Sequence, residues 1–133
     1  MQDLVDIQTW HPLTVHFPIA FLSLSGILSI YLIFKYHKPL AQFNLGLLVL
    51  GVVSALIALY TGDIEDGKVS RYICDPTVLK THENYAYYTV YIFSTSIIFW
   101  VIWLAKAFKT LRKLVVSVIL ILNLAGLASL VYV

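Results

Sequence analysis

Four long runs of apolar residues, separated by shorter polar stretches, dominate the pattern of the chain. The runs cover residues 13–34, 41–61, 85–105 and 114–133. Each is about 20 residues long, which at a rise of about 1.5 Å per residue crosses an apolar layer of about 30 Å. The pattern therefore predicts four transmembrane helices.

The composition places the chain among integral membrane proteins. Of its 133 residues, 60% are hydrophobic and 12% are charged, and the mean hydropathy is +0.86. A soluble domain carries about 25% charged residues. The small net charge of +2 gives no support to nucleic-acid binding. The single cysteine, Cys74, excludes an internal disulfide and the Cys-x-x-Cys-His motif that attaches c-type haem.

Short connections between the runs indicate an antiparallel bundle. Only residues 35–40 join the first two runs, and Gly62 is expected to end the second helix. A polar loop over residues 62–84 precedes the third run, and a basic turn at residues 106–113 precedes the fourth. We expect one domain over residues 1–133, an all-α integral membrane four-helix bundle with antiparallel up-down topology.

The distribution of basic residues predicts the orientation of the bundle. Six Lys and Arg residues and no acidic residue lie in the first and third connections, whereas the opposite side has three basic residues and all seven acidic ones. Lys and Arg in short loops favour the cytoplasmic side. We therefore expect both termini and the polar loop outside, facing the periplasm if the membrane is a bacterial inner membrane.

Two histidines and two prolines open the first run. They are His11, Pro12, His16 and Pro18, within the stretch from Trp10 to Ala20. A helix that only anchors needs no histidine here, and ionisable side chains at a membrane boundary indicate function. Pro12 suits the first turn of the helix, while Pro18 is expected to bend or loosen the chain beside His16.

The predicted topology brings further polar residues to the same end of the bundle. Asp63 and Glu65 follow the second helix and His82 precedes the third, so with His11 and His16 they have the composition of a metal or haem site. If this N-terminal stretch is helical, its two histidines point about 140° apart, so one faces elsewhere. Each histidine alone is equally explained by capping or by a hydrogen bond to a carboxylate.

Three helix faces are candidates for the interior of the bundle. The second helix has a stripe of small residues whose simplest role is close packing, although it also admits a flat macrocycle. The stripe is Gly51, Ser54, Ala55, Ala58 and Gly62. The faces expected on the first and third helices are His16, Ala20, Ser23 and Ile27, and His82, Ala86, Thr89, Phe93 and Ser96.

Four single residues carry further expectations. Asn123 in the fourth run is expected to make an interhelical hydrogen bond. Glu83 is expected to be a favourable anion in the first turn of the third helix. Trp100 and Trp103 are expected to lie in the aromatic belt at one membrane face.

The N-terminal motif carries a resemblance to a known family. Residues 11–20 have the pattern His-Pro-x-x-Val-His-Phe-Pro-Ile-Ala, the second span ends at Gly62 with acidic residues after it, and His82 opens the third. The chain resembles the bacterial membrane family called domain of unknown function 2231. The resemblance implies a four-helix integral membrane module, which in some relatives accompanies cytochrome-type domains.

The leading hypothesis is a cytochrome-like redox module that binds one b-type haem non-covalently near the outer face. A single haem is expected, because His37 on the opposite side has no partner histidine. The expected binding residues are His16 and His82 as axial ligands, His11 and Glu65 beside them, and Gly51 and Gly62 in the slot for the ring.

Two alternatives stay open. One is a transition-metal site for zinc, iron or copper, whose expected ligands are His11, His16, His82 and a carboxylate from Asp63 or Glu65. The other is an accessory subunit of a larger membrane complex, with the histidines as a hydrogen-bonded lock between helices. No nucleophile or acid–base pair is identifiable, so electron transfer or an accessory role is favoured over catalysis. The expected partners are the lipid bilayer, other membrane or cytochrome subunits, or a second copy of the chain.

Overall fold

The computed structural model describes residues 10–69, 75–104 and 112–132, and every regular element within these ranges is an α-helix. The helices are α1 (Trp10–Thr14), α2 (His16–Phe34), α3 (Lys38–Val69), α4 (Pro76–Leu104) and α5 (Arg112–Leu130). α1 and α2 are nearly continuous, because the backbone N–H of Val15 donates to the His11 carbonyl at 3.1 Å and that of Ile19 donates to the Val15 carbonyl at 3.3 Å. The prediction of an all-α fold is confirmed.

The four long helices form a closed bundle. α2 packs against α3 and α5, and α4 packs against the same two helices. Along the α2–α3 interface, Ser29 meets Asn44 and Leu22 meets Gly51, so residue numbers fall on one helix as they rise on the other. This is the register of an antiparallel pair. The four-helix bundle is therefore confirmed, while the side of the membrane on which its termini lie stays a prediction.

The expected end of the second helix at Gly62 is wrong. α3 continues through this glycine to Val69, because a single glycine inside a helix costs only about 1 kcal/mol, which neighbouring turns outweigh. The acidic residues expected in a loop after it, Asp63 and Glu65, therefore belong to the last turns of α3.

The third helix begins earlier than expected, at Pro76 instead of residue 85. The Asp75 carboxylate accepts hydrogen bonds from the Thr77 backbone N–H at 2.9 Å and from the Thr77 hydroxyl at 2.6 Å. A capping carboxylate followed by proline at the first helical position is a strong start signal. His82 is therefore a residue of α4. Cys74 and most of the basic turn at residues 106–113 lie outside the described residues.

The outer surface of the bundle is apolar. Trp10–Phe34, Lys38–Asp66 and Thr77–Leu104 are each long and apolar enough to cross a membrane, and the apolar part of α5, Leu114–Leu130, is shorter. Outward side chains include Ile27, with 65% of its surface exposed. A soluble monomer rarely leaves large apolar areas uncovered, whereas lipid covers them at no cost. The chain is a membrane protein.

The face of α2 expected inside is wrong. Ile27 is exposed, as are His16 and Ala20, and the buried residues of the helix are Pro18, Leu22, Ser25, Gly26, Ser29 and Leu32. Lipid tails are as apolar as leucine, so apolar side chains gain little by turning inward, whereas small and polar residues gain close packing and hydrogen bonds. The face expected on the third helix lies inward, with Thr89, Phe93 and Ser96 buried.

Four buried polar residues, Ser29, Asn44, Ser96 and Asn123, form a middle polar layer that joins all four long helices. The Ser29 hydroxyl oxygen accepts hydrogen bonds from the Asn44 amide at 2.9 Å and from the Asn123 amide at 2.6 Å. The same hydroxyl donates to the Ser25 carbonyl at 2.8 Å, and the Ser96 hydroxyl donates to Asn123 Oδ1 at 2.7 Å. The predicted interhelical hydrogen bond of Asn123 is confirmed.

Candidate functional site

α3 holds both the backbone and the side chain of His11. Its backbone N–H donates to Glu65 Oε1 at 3.3 Å, and its ring Nδ1 lies 3.0 Å from the Ala58 carbonyl oxygen. A carbonyl only accepts, so Nδ1 carries the hydrogen of this bond. In the neutral imidazole, Nε2 is then the nitrogen that keeps a lone pair, as in a histidine prepared to bind a metal.

Gly62 allows the His11 ring to lie directly against α3. A Cβ atom added at this glycine would stand 3.0 Å from His11 Cε1 and 3.3 Å from Nδ1. The predicted binding residue Gly51 lies elsewhere, because it faces Leu22 of α2 and does not line the cavity beside His11. Of these two glycines, only Gly62 belongs to the candidate site.

His82 faces His11 across the end of the bundle. The centres of the two imidazole rings are 6.4 Å apart, and the ring planes are nearly perpendicular at 82°. His82 comes from α4 and His11 from α1, so the pair joins two elements distant in sequence. The expectation that Glu83 sits in the first turn of its helix is wrong, since it lies well inside α4 and pairs with Lys80 at 2.7 Å.

His16 does not join this pair. Its ring is exposed, its Nδ1 lies 2.6 Å from the Pro12 carbonyl of its own helical segment, and it does not line the cavity. This fits the wide angle expected between residues five apart on a helix. The structure thus brings together His11 and His82, not the ligand pair expected from the sequence, His16 and His82. His37 is exposed in the connection between α2 and α3.

A cavity of about 510 Å³, the end cavity, opens beside the two rings. Its apolar wall includes Ala55, Ala58, Ala86 and Val90, and its polar lining is His11, His82, Thr89, Asp63, Glu65, Asp66 and Glu83. Small side chains on α3 and α4 leave the space that larger ones would fill. The buried Oδ1 of Asp66 has no hydrogen-bond partner among the described residues. The result is a largely apolar pocket whose polar lining contains two imidazoles and four carboxylates.

A preassembled metal site of three or more ligands is not found in the described part of the chain. Among the residues that the structure describes, no group of three histidine, cysteine or carboxylate side chains stands where one ion would meet all of them. The predicted set of His11, His16, His82 and Asp63 or Glu65 is divided, because His16 turns away. The metal hypothesis stays a prediction.

Two buried polar residues were missed by the sequence reasoning. Asn44 is a lone amide inside an apolar run, a signal as plain as that of Asn123, and it is fully buried in the middle polar layer. Trp100 is only 3% exposed, so it packs inside the bundle near the end of α4, and its place in an interfacial belt stays a prediction. Its position on α4, seven residues after the buried Phe93, repeats the interior face of that helix and was available from the sequence.

Comparison with known proteins identifies one family. The family model described as "Predicted membrane protein (DUF2231)" matches residues 8–133, which is nearly the whole chain. No curated protein and no solved structure matches it.

Proposed function

The chain belongs to the DUF2231 family of predicted membrane proteins, and we propose that it binds one b-type haem non-covalently between His11 and His82 and acts in electron transfer. We place the end cavity at the periplasmic face of a bacterial inner membrane, as the bias of basic residues indicates. This revises the ligand pair from His16 and His82 to the two rings that face each other.

The separation of the two rings is the observation that carries the proposal. Two imidazoles that bind one iron from opposite sides each need a metal–nitrogen bond of about 2 Å, which puts the ring centres about 6 Å apart. The rings of His11 and His82 are 6.4 Å apart. The separation of the two ring centres is thus close to that of a bis-imidazole site, and this spacing supports the proposal.

Each neighbour of His11 has a role in holding it. The Ala58 carbonyl accepts from Nδ1 and so keeps Nε2 as the ligand nitrogen, which also raises the basicity of the ring. Glu65 accepts from the backbone N–H of His11 and fixes the start of α1. Gly62 leaves room for the ring against α3. Glu65 is therefore a positioning residue, not a ligand.

The cavity suits a flat apolar group. Alanines on α3 and α4 line its wall, so a planar ring system meets little steric obstruction there. When bound, haem supplies a one-electron carrier, and the protein contributes orientation and the exclusion of water.

Absorption spectroscopy of protein purified from haem-replete cells tests the proposal. We expect a b-type spectrum that is lost in His11→Ala and in His82→Ala and retained in His16→Ala, the matched control on the exposed face of α2. His37→Ala, in the connection between α2 and α3, is a second control. A colourless wild-type protein that also fails to take up added haemin would refute the proposal. Loss of the spectrum in His16→Ala with retention in His11→Ala would restore the pair expected from the sequence.

A further inference from the structure

The end of the bundle opposite the end cavity, which we call the basic end, carries a concentrated positive charge. Residues 35–39 and 106–113 hold six Lys and Arg residues and no acidic residue, and Lys35 and Lys38 are exposed. α3 and α5 begin at this end, and neither has an acidic residue in its first turn. The positive ends of two helix dipoles therefore add to the side-chain charge, and the basic end attracts anions.

A cavity of about 480 Å³, the basic-end cavity, lies between α2, α4 and α5 at this end. Its wall is largely apolar, with Trp100 and Ile119 among its buried residues. Ile33, Tyr36 and Ser117 also line it and are exposed on the outer surface of the bundle. The cavity is therefore open to the acyl chains of the surrounding bilayer.

Basic residues flank the mouth of this cavity. Lys35 directly precedes the lining residue Tyr36, whose ring meets that of Trp103 on α4 with centres 4.7 Å apart. On α5, Arg112 lies one turn before the lining residue Val116, and residues four apart share one face of a helix. An apolar cavity and a group of cations are thus neighbours, which is the arrangement that suits an amphiphile with an acidic head group.

The positive charge selects among the molecules that a membrane offers. A neutral quinone gains nothing from the cations, and a zwitterionic lipid brings an ammonium group that the cations repel. A second copy of the chain would bring the same basic residues to this end, so repulsion opposes pairing here. An anionic phospholipid gains both from the charge and from the apolar wall.

We propose that the basic-end cavity binds an anionic phospholipid, with one acyl chain in the cavity and the phosphate group beside Lys35 and Lys38. Basic pockets between transmembrane helices bind acidic head groups by this combination of charge and apolar burial. The proposal does not depend on haem binding, because none of the residues that line this cavity lines the end cavity.

Quenching of tryptophan fluorescence by brominated acyl chains tests the proposal, because bromine quenches a tryptophan that its chain contacts. The full-length Trp10→Phe protein is used in phosphatidylcholine nanodiscs, since its two remaining tryptophans, Trp100 and Trp103, both line the cavity. Bromine is carried by phosphatidylglycerol in one sample and by the same fraction of phosphatidylcholine in another. We expect phosphatidylglycerol to quench at a lower mole fraction, and we expect this preference to weaken as salt is added.

Substitution of the lysines tests the role of the head group. Lys35→Gln and Lys38→Gln are each expected to lower the preference for phosphatidylglycerol about fivefold, the usual effect of one basic residue at an anionic lipid. The matched control is Lys80→Gln, an exposed lysine at the opposite end of the bundle. Its preference is expected to equal that of the Trp10→Phe parent protein.

Filling the cavity tests the place of the acyl chain. Ser117→Phe puts a bulky side chain at the lining of the cavity and leaves every lysine in place, so we expect quenching by phosphatidylglycerol to fall to the level of phosphatidylcholine. The matched control is Ala125→Phe, because Ala125 is exposed on the same helix and does not line the cavity. We expect the lipid preference of this control to be unchanged.

Three results would overturn the proposal. The first is equal quenching by the two brominated lipids in the parent protein, which decides alone if a variant does not fold. The second is a preference that persists in Ser117→Phe, which would mean that surface charge holds the lipid outside the cavity. The third is quenching by added decylubiquinone that Ser117→Phe abolishes, without a preference for phosphatidylglycerol, which would assign the cavity to a neutral molecule.

Discussion

The middle polar layer and the end cavity use polar side chains in opposite ways. In the middle layer, the Ser29 hydroxyl oxygen accepts from Asn44 and Asn123, Asn123 accepts from Ser96, and all four residues are buried. At the end cavity, by contrast, the His11 ring bonds through Nδ1, and Nε2 has no hydrogen-bond partner among the described residues. A polar group whose bonding capacity is largely used inside the bundle holds helices together. One that is oriented and left with a free acceptor is available to a ligand.

The difference shows which signals in a membrane sequence indicate function. A polar residue inside an apolar run of this chain is as often structural as chemical. Lipid offers it no hydrogen-bond partner, so it must find one in another helix. The chemical candidates are the residues that keep bonding capacity beside a cavity, which the unpartnered Oδ1 of Asn44 does not, because Asn44 does not line the end cavity. By this criterion His11 and His82 belong with the site, whereas Asn123 belongs with the scaffold.

Removing the middle layer is the strongest test of this division. Asn123→Ala deletes the bonds to Ser29 and from Ser96 and leaves a small void, so we expect a loss of about 2–4 kcal/mol in the free energy of unfolding. Reversible unfolding in mixed detergent micelles measures it. The matched control is Gln42→Ala, an exposed amide, with an expected change below about 0.5 kcal/mol.

The folded fraction of Asn123→Ala is expected to keep the spectrum and haem stoichiometry of the wild type, because the residue does not line the end cavity. An Asn123→Ala protein as stable as the wild type would show that the layer does not hold the helices. A folded Asn123→Ala variant that binds no haem would mean that the middle polar layer is also needed for haem binding.

A smaller change at Gly62 tests the other side of the comparison. The added Cβ in Gly62→Ala stands 3.0 Å from His11 Cε1 and pushes the ring away, so we expect haem affinity to fall about tenfold. Stability is expected to change by less than about 1 kcal/mol, since alanine also favours the helix. Haemin titration and unfolding measure the two effects.

Gly46→Ala on the same helix is the control for Gly62→Ala. A Cβ at Gly46 meets no heavy atom within 4 Å, so we expect unchanged haem affinity and a gain of about 0.5–1 kcal/mol in stability. Equal affinities in the two variants would mean that the His11 ring does not bind the ligand.

Run length was enough to predict four helices and the bundle, because apolar length is what a membrane selects. It was not enough for the face of α2, where Ile27 turns outward and Ser25 inward, since hydrophobic periodicity loses its meaning when the solvent is itself apolar. The ends of helices were missed where local chemistry decided them. Asp75 and Pro76 form a start signal inside what looked like a polar loop.

The sequence predicted which histidines lie at this end of the bundle better than it predicted which two of their rings meet. His11 and His82 were both placed at one end of the bundle, and the structure brings their rings together. The sequence predicts His16 as a ligand because His16 and His82 each lie near the start of a predicted helix, at the same end of the bundle and at similar depth in the membrane. Its direction depends on the helical phase of α1 and α2, which the two prolines made hard to assign in advance. In the structure, the ring of His16 lies against the Pro12 carbonyl oxygen, 2.6 Å from its Nδ1.

The smallest effect that we expect concerns pH and the start of α4, the helix that carries His82. Hydrogen bonds from the Thr77 hydroxyl and backbone N–H favour the charged form of Asp75 and hold the pKa of this carboxyl below its ordinary value of 3.8. A lowered pKa means that the unfolded state binds the proton more readily, so the contribution to stability is fully present above that ordinary value and is lost as pH falls through the folded value. The protection of the Thr77 amide against hydrogen exchange, taken relative to the intrinsic exchange rate at each pH, should therefore fall only at pH below about 4, where the unfolded carboxyl titrates. Asp75→Asn is the matched control, because asparagine caps as well as aspartate without titrating, and its exchange is expected to lack this step.

The middle polar layer contains no ionisable side chain, so amides beside Asn123 are expected to show no acid step. A step of equal size there would mean that protonation of Asp75 loosens the whole bundle and not only the helix start beneath the end cavity.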